Sequence, residues 1–134
     1  MKTTPKIMKY MTGMPHTIGY DIPIKKAVEI MREGGFRHLP VYDAGKLVGV
    51  ITDRDIKLAA SFTGSAELKV GDVMTPDAYT VGVDTPLDTV VSEMAEHKYG
   101  CTLIKQDNGK IVGIFTTVDA MRVLAEILHM NYKD

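Results

Sequence analysis

The sequence contains one cysteine, no tryptophan, no long apolar run and no long run of charges of one sign. Because Cys101 has no partner cysteine, an intrachain disulfide and a zinc site built from cysteines are both excluded. No stretch approaches the roughly 20 apolar residues that a membrane span requires, and the polar start of the chain does not predict a signal sequence. The 16 basic and 17 acidic residues balance, which argues against a nucleic-acid or membrane partner. We therefore expect a cytoplasmic globular protein.

The motifs of several enzyme classes are also missing. The chain has no Gly-x-Ser-x-Gly, no phosphate loop ending in Gly-Lys-Ser/Thr and no Gly-x-Gly-x-x-Gly. The four histidines are scattered without the spacing of metal ligands; they are His16, His38, His97 and His129. These observations predict a protein that is not an enzyme and that has neither a metal site nor a catalytic cofactor.

An internal repeat is the strongest feature that is present. Thr17 matches Thr80, and after one inserted residue near Asn108 the match continues from Thr52 to Thr116. Further matches are Met11-Thr12 with Met74-Thr75, Gly19 with Gly82, Asp21 with Asp84, Pro23 with Pro86, Gly49 with Gly113 and Asp55 with Asp119. The matches keep their order and fall on turn and cap residues, so they predict two repeats of one structural unit.

Each repeat predicts the order strand, helix, strand, strand, helix. Asp21 and Asp84 are the expected N-caps of the first helix of each repeat, which carries an apolar stripe at helical spacing. We expect a mixed α/β (α+β) fold with one repeat over residues 7–62, a linker over 63–69 and a second repeat over 70–130. A unit of about 60 residues buries little surface alone, so the two repeats should pack together in one compact module. The last helix has more apolar residues than one small core face needs. We interpret the surplus as core packing plus a dimer surface, although core packing alone would also explain it.

A strand that runs into a helix is repeated with a threonine and an aspartate at the corner. The strand Leu47–Ile51 leads to Thr52 and Asp55, and Thr116 and Asp119 follow the second copy. Such a corner offers backbone N–H groups and the positive end of a helix dipole, which suit an anion such as phosphate. The same Thr-x-x-Asp pattern also predicts a capping box that needs no ligand.

Several motifs together resemble the tandem CBS-domain pair, or Bateman module. They are the doubled Met-Thr-x-x-x-x-Thr-(Ile/Val), Asp-x-Pro and Gly-x-x-Thr-x-x-Asp patterns, with Arg37–Val41 and Val70–Pro76. The resemblance covers about Ile7 to Leu128. Within the family, the chain resembles the stand-alone prokaryotic type. It implies two repeats about a pseudo-two-fold axis, with clefts between them for AMP, ADP or ATP, and less often S-adenosylmethionine. It also implies a homodimer that signals to an unidentified regulated protein.

The resemblance and the ligand chemistry together assign roles to residues. A carboxylate accepts hydrogen bonds from two neighbouring ribose hydroxyls, a role that falls to Asp55 and Asp119, while Thr52 and Thr116 offer hydroxyls to phosphate. Ile51 and Phe115 are candidate walls of an apolar adenine slot. In the family each Asp works with the early strand of the other repeat. By that rule Asp119 faces Met14, His16, Arg37 and His38, and Asp55 faces Ala78, Tyr79 and Cys101, with Arg54 or Lys57 as cations.

The two clefts are therefore predicted to be unequal. Arg37 and His38 are phosphate partners for the Asp119 cleft, whereas the matching positions of the other cleft hold Gly100 and Cys101. We expect the Asp119 cleft to be the better anion binder. The alternative is a ligand-free structural or adaptor module that acts by protein–protein interaction, with both Thr-x-x-Asp patterns serving as helix caps.

Overall fold

The computed structural model describes residues 3–13, 16–62 and 67–132, and the mixed α/β fold is confirmed. The strands are β1 (Thr12–Gly13), β2 (Ile18–Gly19), β3 (His38–Asp43), β4 (Lys46–Thr52), β5 (Thr75–Pro76), β6 (Thr80–Gly82), β7 (Cys101–Lys105) and β8 (Ile111–Thr116). The helices are α1 (Ile24–Gly34), α2 (Asp53–Phe62), α3 (Val70–Val73), α4 (Leu87–His97) and α5 (Thr117–Asn131). Residues 63–66 of the predicted linker and the candidate Met14 lie outside the described residues. Within the described ranges, no helix combines the length and the apolar character needed to cross a bilayer.

The strands form two sheets of four, with the orders β1-β8-β7-β6 and β2-β3-β4-β5. The chain divides into two compact units. The central unit is His16–Ala78, and the terminal unit combines Met1–Pro15 with Tyr79–Asp134. Each unit holds one sheet, a parallel pair joined through a helix, and an antiparallel hairpin.

The compact units do not follow the sequence repeats, because each repeat contributes a strand to the other unit. β1 pairs antiparallel with β8, which places Gly13 opposite Gly113. β5 pairs antiparallel with β4, which places Pro76 opposite Gly49. Each short strand lies near the start of its own repeat. Ladder hydrogen bonds, and a glycine that allows close approach, attach it to the sheet of the other unit.

The predicted N-caps Asp21 and Asp84 are wrong. The helices begin three residues later, at Ile24 and Leu87, and the N-cap positions are held by Pro23 and Pro86 without a side-chain cap. The first amides are paired with backbone carbonyls of other segments instead. Ile24 N donates to Leu68 O at 3.0 Å, and Leu87 N donates to Pro5 O at 2.8 Å. A carbonyl at this position removes the need for a capping side chain.

The core of the terminal unit explains why its helices pack on the sheet. Buried side chains of α4, β7, β8 and α5 form one cluster with the N-terminal segment: Ile7, Leu87, Val90, Met94, Ile104, Phe115 and Val123. Ile7 is fully buried in this cluster, although it precedes α4 by about 80 residues in the sequence. The central unit buries the corresponding residues of α1, β3 and β4, among them Ala27, Met31, Leu39, Val41 and Ile51. Their burial supplies the hydrophobic stabilisation of each unit.

Candidate functional site

The Thr52 corner of the central unit is a closed capping box. The Thr52 hydroxyl oxygen accepts from Asp55 N at 3.0 Å, and the Asp55 carboxylate accepts from Thr52 N at 3.0 Å. β4 ends at Thr52 and α2 begins at the next residue, so the two reciprocal bonds fix the corner between them. Asp55 is half-buried.

The Thr116 corner of the terminal unit has the same geometry. Thr116 Oγ1 accepts from Asp119 N at 3.3 Å, and Asp119 Oδ2 accepts from Thr116 N at 2.8 Å. Asp119 is the only buried charged residue in the part of the chain that the structure describes, with 7% of its surface exposed. The capping-box geometry that the sequence offered for both corners is therefore confirmed.

The repeated Met-Thr motif completes each corner from the other repeat. Thr12 of β1 donates its hydroxyl to Asp119 Oδ1 at 3.3 Å, and Thr75 of β5 donates to both Asp55 oxygens at 3.3 Å. The side chains of Met11 and Met74 lie against Gly113 and Gly49. Three separated motifs, Met-Thr, Gly and Thr-x-x-Asp, thus form one constellation in each unit.

The backbone amides at these corners are less available than the sequence suggested. Asp53 N donates to Arg37 O at 3.0 Å, and Thr117 N donates to Gly100 O at 3.1 Å. The amides of Asp55 and Asp119 are taken by the threonine hydroxyls. The first and third amides of α2 and α5 therefore have protein acceptors. An incoming anion must rely on the helix dipole and on other donors.

The two carboxylates differ in how many hydrogen bonds they already accept. Asp119 accepts from Thr116 N, Thr116 Oγ1, Thr12 Oγ1 and the guanidinium of Arg122, the last at 3.2 Å. Asp55 accepts from Thr52 N and from Thr75 Oγ1. A carboxylate offers about four lone-pair positions. Asp119 is thus filled by protein donors, whereas Asp55 retains acceptor capacity.

The two candidate walls of an adenine slot lie in the core. Ile51 and Phe115 are both completely buried, and Phe115 packs within the core cluster of the terminal unit. Each occupies a strand position just before the corner threonine, where the alternating side chains face the helices. Phe115 is thus enclosed by other side chains, and the role of Ile51 and Phe115 as walls of an adenine slot stays a prediction.

The other predicted site residues of the central unit differ in burial and in the groups that they contact. His38 is half-buried and is the cross-strand partner of Thr52, so it lies beside the corner. Arg37 and Arg54 are exposed. The Lys57 ammonium pairs with the Asp53 carboxylate at 3.7 Å, on the exposed side of α2. His16 is exposed, and its ring lies 5.0 Å from the Phe36 ring.

Ala78 and Tyr79 mark the boundary between the units. Ala78 is half-buried at the end of the central unit, and Tyr79 begins the second part of the terminal unit. The Tyr79 ring stacks on the Tyr99 ring at 5.2 Å. Burial, followed by the nearby Glu93 carboxylate and the Tyr99 phenol, raises the pKa of Tyr79 above its usual value. The shift leaves the Tyr79 phenol neutral at pH 7, as an unperturbed phenol also is.

The sequence alone missed Thr12, Thr75 and Arg122 as neighbours of the aspartates. The repeated Met-Thr pair was the available signal for the two threonines, because both copies stand at the same position in their repeats. Arg122 stands three residues after Asp119 on the same helix, a spacing that brings side chains together.

The arrangement can be compared with known proteins. A family model described as the CBS domain matches the chain twice, over residues 7–61 and 70–126. L-aspartate semialdehyde sulfurtransferase of Methanocaldococcus jannaschii is 32% identical over 125 residues, which are 92% of this chain and 24% of that protein. This chain spans 21%, 24% and 38% of the lengths of three curated relatives that it matches.

Solved structures of similar fold carry adenosine-containing ligands. The crystal structure of CBSX2 in complex with AMP is 25% identical, with a TM-score of 0.78, and the match covers 92% of this chain and 98% of that one. The CBS domain pair of MJ0100, in complex with 5′-methylthioadenosine and S-adenosyl-L-methionine, is 27% identical with a TM-score of 0.80 and the same coverage. Since the two matches of the family model span most of the sequence, this chain belongs to the CBS domain family.

Proposed function

We propose that the protein is a non-catalytic sensor that binds an adenine nucleotide (AMP, ADP or ATP) at the Thr-Asp corners and signals to a partner protein. The observation that carries the proposal is the doubled constellation, in which a threonine hydroxyl and a carboxylate lie together at the start of a helix. A hydroxyl and the positive end of the dipole suit a phosphate, and a carboxylate suits the ribose hydroxyls. The AMP complex of the related CBSX2 supports this choice of ligand.

The acceptor capacity of the carboxylates favours Asp55 for the ribose. A ribose diol needs two free lone pairs, and Asp55 accepts fewer protein donors than Asp119 does. A ligand at Asp119 must first displace the Thr12 hydroxyl or the Arg122 guanidinium. For ribose binding, this comparison therefore favours the Asp55 corner. For phosphate binding, the sequence favoured the Asp119 cleft, because Arg37 and His38 were predicted as its partners.

Ligand binding would transmit a signal by favouring one arrangement of the protein over another. A ligand shifts such an equilibrium only by its differential affinity for the two states. The edge strands β1 and β5 are short, and each also donates its threonine hydroxyl to the carboxylate. A ribose that competes with these hydroxyls for the carboxylate would therefore weaken the attachment of β1 to β8 or of β5 to β4.

An adaptor module without a ligand is the second candidate. It is favoured by the closed capping boxes, in which the corner amides and one carboxylate already have protein partners. In this case the Thr-x-x-Asp pattern would only stabilise the helices.

Thermal unfolding with a panel of ligands separates the two candidates. The wild-type protein is heated with AMP, ADP, ATP, S-adenosylmethionine and GTP, alongside Asp55→Asn and Asp119→Asn. A ligand at 100 times its Kd is expected to add about 2.7 kcal/mol to the free energy of unfolding. We expect adenine ligands to stabilise the wild type, GTP to do so less, and Asp55→Asn to lose the larger part of the effect.

Asp53→Asn is the matched control, since it removes the same charge two residues away from Asp55 on α2. It should bind as the wild type does. Loss of binding only in Asp119→Asn would restore the ranking drawn from the sequence. No stabilisation by any adenine ligand at millimolar concentration would reject the sensor and leave the adaptor.

The exposed side of α5 supports a homodimer. Large apolar side chains remain exposed along this helix: Val118, Met121, Leu124, Ile127 and Leu128. Met121 and Leu124 are 64% and 47% exposed, while Val123 on the buried side is 8% exposed. A contiguous apolar patch of this kind marks an interaction surface more often than a monomer surface. A second copy is the occupant that the resemblance implies.

Introducing a charge on this face is expected to dissociate the dimer. Light scattering after gel filtration should give twice the chain mass for the wild type and the single chain mass for Met121→Lys, because a buried lysine without a partner is costly. Glu126→Lys, on the polar side of the same helix, controls for the added charge and should remain dimeric. A monomeric wild type at 100 micromolar, or a dimeric Met121→Lys, would reject this interface.

A further inference from the structure

The last turn of α4 brings together three side chains that the proposed function does not use. One ligand atom from each of Glu93, Glu96 and His97 lies within 4.8 Å of the others. His97 Nε2 and Glu93 Oε2 are 3.1 Å apart. The positions i, i+3 and i+4 share one face of a helix, so the backbone itself sets this convergence.

The separation of these atoms fits two ligands of one metal ion. With ligand distances of about 2.0–2.2 Å, two ligands of a tetrahedral ion are roughly 3.4 Å apart. Glu93 Oε2 and His97 Nε2 now form an ion pair at 3.1 Å, so they need to separate by only about 0.3 Å for an ion to replace that contact. Glu96 is exposed, so a change of rotamer can bring its carboxylate closer without disturbing the core.

The His97 ring is held in place by its neighbours. It stacks on the Tyr99 ring at 5.1 Å with an interplanar angle of 21°, and Tyr99 stacks in turn on Tyr79 at 5.2 Å. A ring that is already ordered loses less conformational entropy when it binds an ion. Side chains of Glu93 and His97 are 42% and 46% exposed, which leaves room for water to complete the coordination.

The first repeat shows that this cluster is not a general property of the fold. The positions of α1 that match Glu93, Glu96 and His97 hold Ile30, Glu33 and Gly34. Only the glutamate is present in both copies. The spacing of the four histidines in the sequence did not indicate this cluster, because its other two candidate ligands are carboxylates.

We propose that Glu93, Glu96 and His97 form a surface site for a divalent transition-metal ion, with Zn²⁺ as the representative. One imidazole with two carboxylates suits zinc and its neighbours in the series, whereas Ca²⁺ and Mg²⁺ prefer sites made of oxygen atoms only. The site lies on α4, away from the Thr-Asp corners of α2 and α5 in sequence. Its test needs no nucleotide, so the proposal stands whether or not the sensor proposal holds.

Calorimetric titration with Zn²⁺ tests the site directly. The full chain, freed of metal by chelation, is titrated with Zn²⁺ in a buffer that does not bind zinc, and then with Mg²⁺. We expect one saturable Zn²⁺ site per chain and no Mg²⁺ binding in the same concentration range. His97→Gln and Glu93→Gln should each weaken the Zn²⁺ affinity by at least about tenfold.

His129→Gln is the matched control, because His129 also lies on an exposed helix with one glutamate, Glu126, three residues before it. Its Zn²⁺ affinity should equal that of the wild type. Circular dichroism of each variant shows whether the fold is kept, which is expected because all of these positions are on the surface. Absence of a saturable site below millimolar Zn²⁺ would overturn the proposal, as would an undiminished affinity in His97→Gln.

Discussion

Replacing Gly49 with alanine is expected to lower the free energy of unfolding by about 3 kcal/mol, near the upper end of the usual cost of overpacking. A Cβ atom at Gly49 would meet the Thr75 carbonyl oxygen, the Met74 sulfur and the Pro76 Cα. Two of these atoms belong to the backbone of β5, which cannot rotate away as a side chain does. β5 must therefore shift, and its pairing with β4 and the bond from Thr75 to Asp55 are then strained or lost.

Gly113→Ala is the matched control for this prediction. Gly113 occupies the same position in the other unit, but the nearest atoms to its Cβ would be Sδ and Cγ of Met11, followed by the Thr12 carbonyl at 3.1 Å. A methionine side chain has three rotatable bonds and adapts easily, so we expect a cost of about 1 kcal/mol. Chemical denaturation of both variants measures the difference. Equal costs would mean that backbone contact does not hold β5 more tightly than β1.

Replacing Asp119 with alanine is expected to cost about 3 kcal/mol of stability, a second large effect. The variant loses the N3 half of a capping box and leaves the Thr116 amide and the Thr12 hydroxyl without their acceptor. A buried donor that loses its partner costs about 1–3 kcal/mol, which applies to the Thr116 amide, whereas the hydroxyl of the exposed Thr12 can turn to water. Because the residue is 7% exposed, water can replace the lost carboxylate only in part.

Asp55→Ala provides the comparison for Asp119→Ala at the equivalent corner. Asp55 is half-buried and accepts from fewer donors, so its loss is expected to cost about 1 kcal/mol, which is typical of a helix cap. Urea denaturation followed by far-ultraviolet circular dichroism gives both values. If Asp55→Ala proves as destabilising as Asp119→Ala, the additional hydrogen bonds of Asp119 contribute nothing to stability.

The sequence predicted the helices and hairpins well because their signals are local. The stripe on α1, Gly35 at its end and the turn through Ala44 and Gly45 each depend on a few neighbouring residues. Gly35, Ala44 and Gly45 all have positive φ angles of 51–80°, as their positions after a helix and within a hairpin require.

The features that the sequence did not predict depend on distant pairing. The start of α1 was misplaced because the acceptor for its first amide is Leu68, far away in sequence. The strands β1 and β5 have only two residues each and no pattern of alternating polarity. The only sign of this pairing in the sequence is that the Met-Thr pair is repeated, as is the glycine against which it lies (Gly113 for the first copy and Gly49 for the second).

For the candidate site, the sequence identified both Thr-x-x-Asp corners but not which of their atoms are already engaged. A motif specifies residue types, whereas the number of donors around a carboxylate depends on residues such as Thr12 and Arg122 that reach it from other elements. The burial of Phe115 was missed for a related reason. An apolar residue beside a site has the same sequence signature as a core residue.

The exchange of β1 and β5 between the halves has a consequence for synthesis on the ribosome. When the first 66 residues have emerged, the sheet of the central unit still lacks β5, whose residues Thr75–Pro76 have yet to be made. The segment with Ile7 and β1 waits longer, because its partner β8 ends at Thr116. Each half of the sequence therefore completes its sheet only with a short strand that the other half supplies, and the nascent chain exposes unpaired strand edges until the ribosome has passed Thr116.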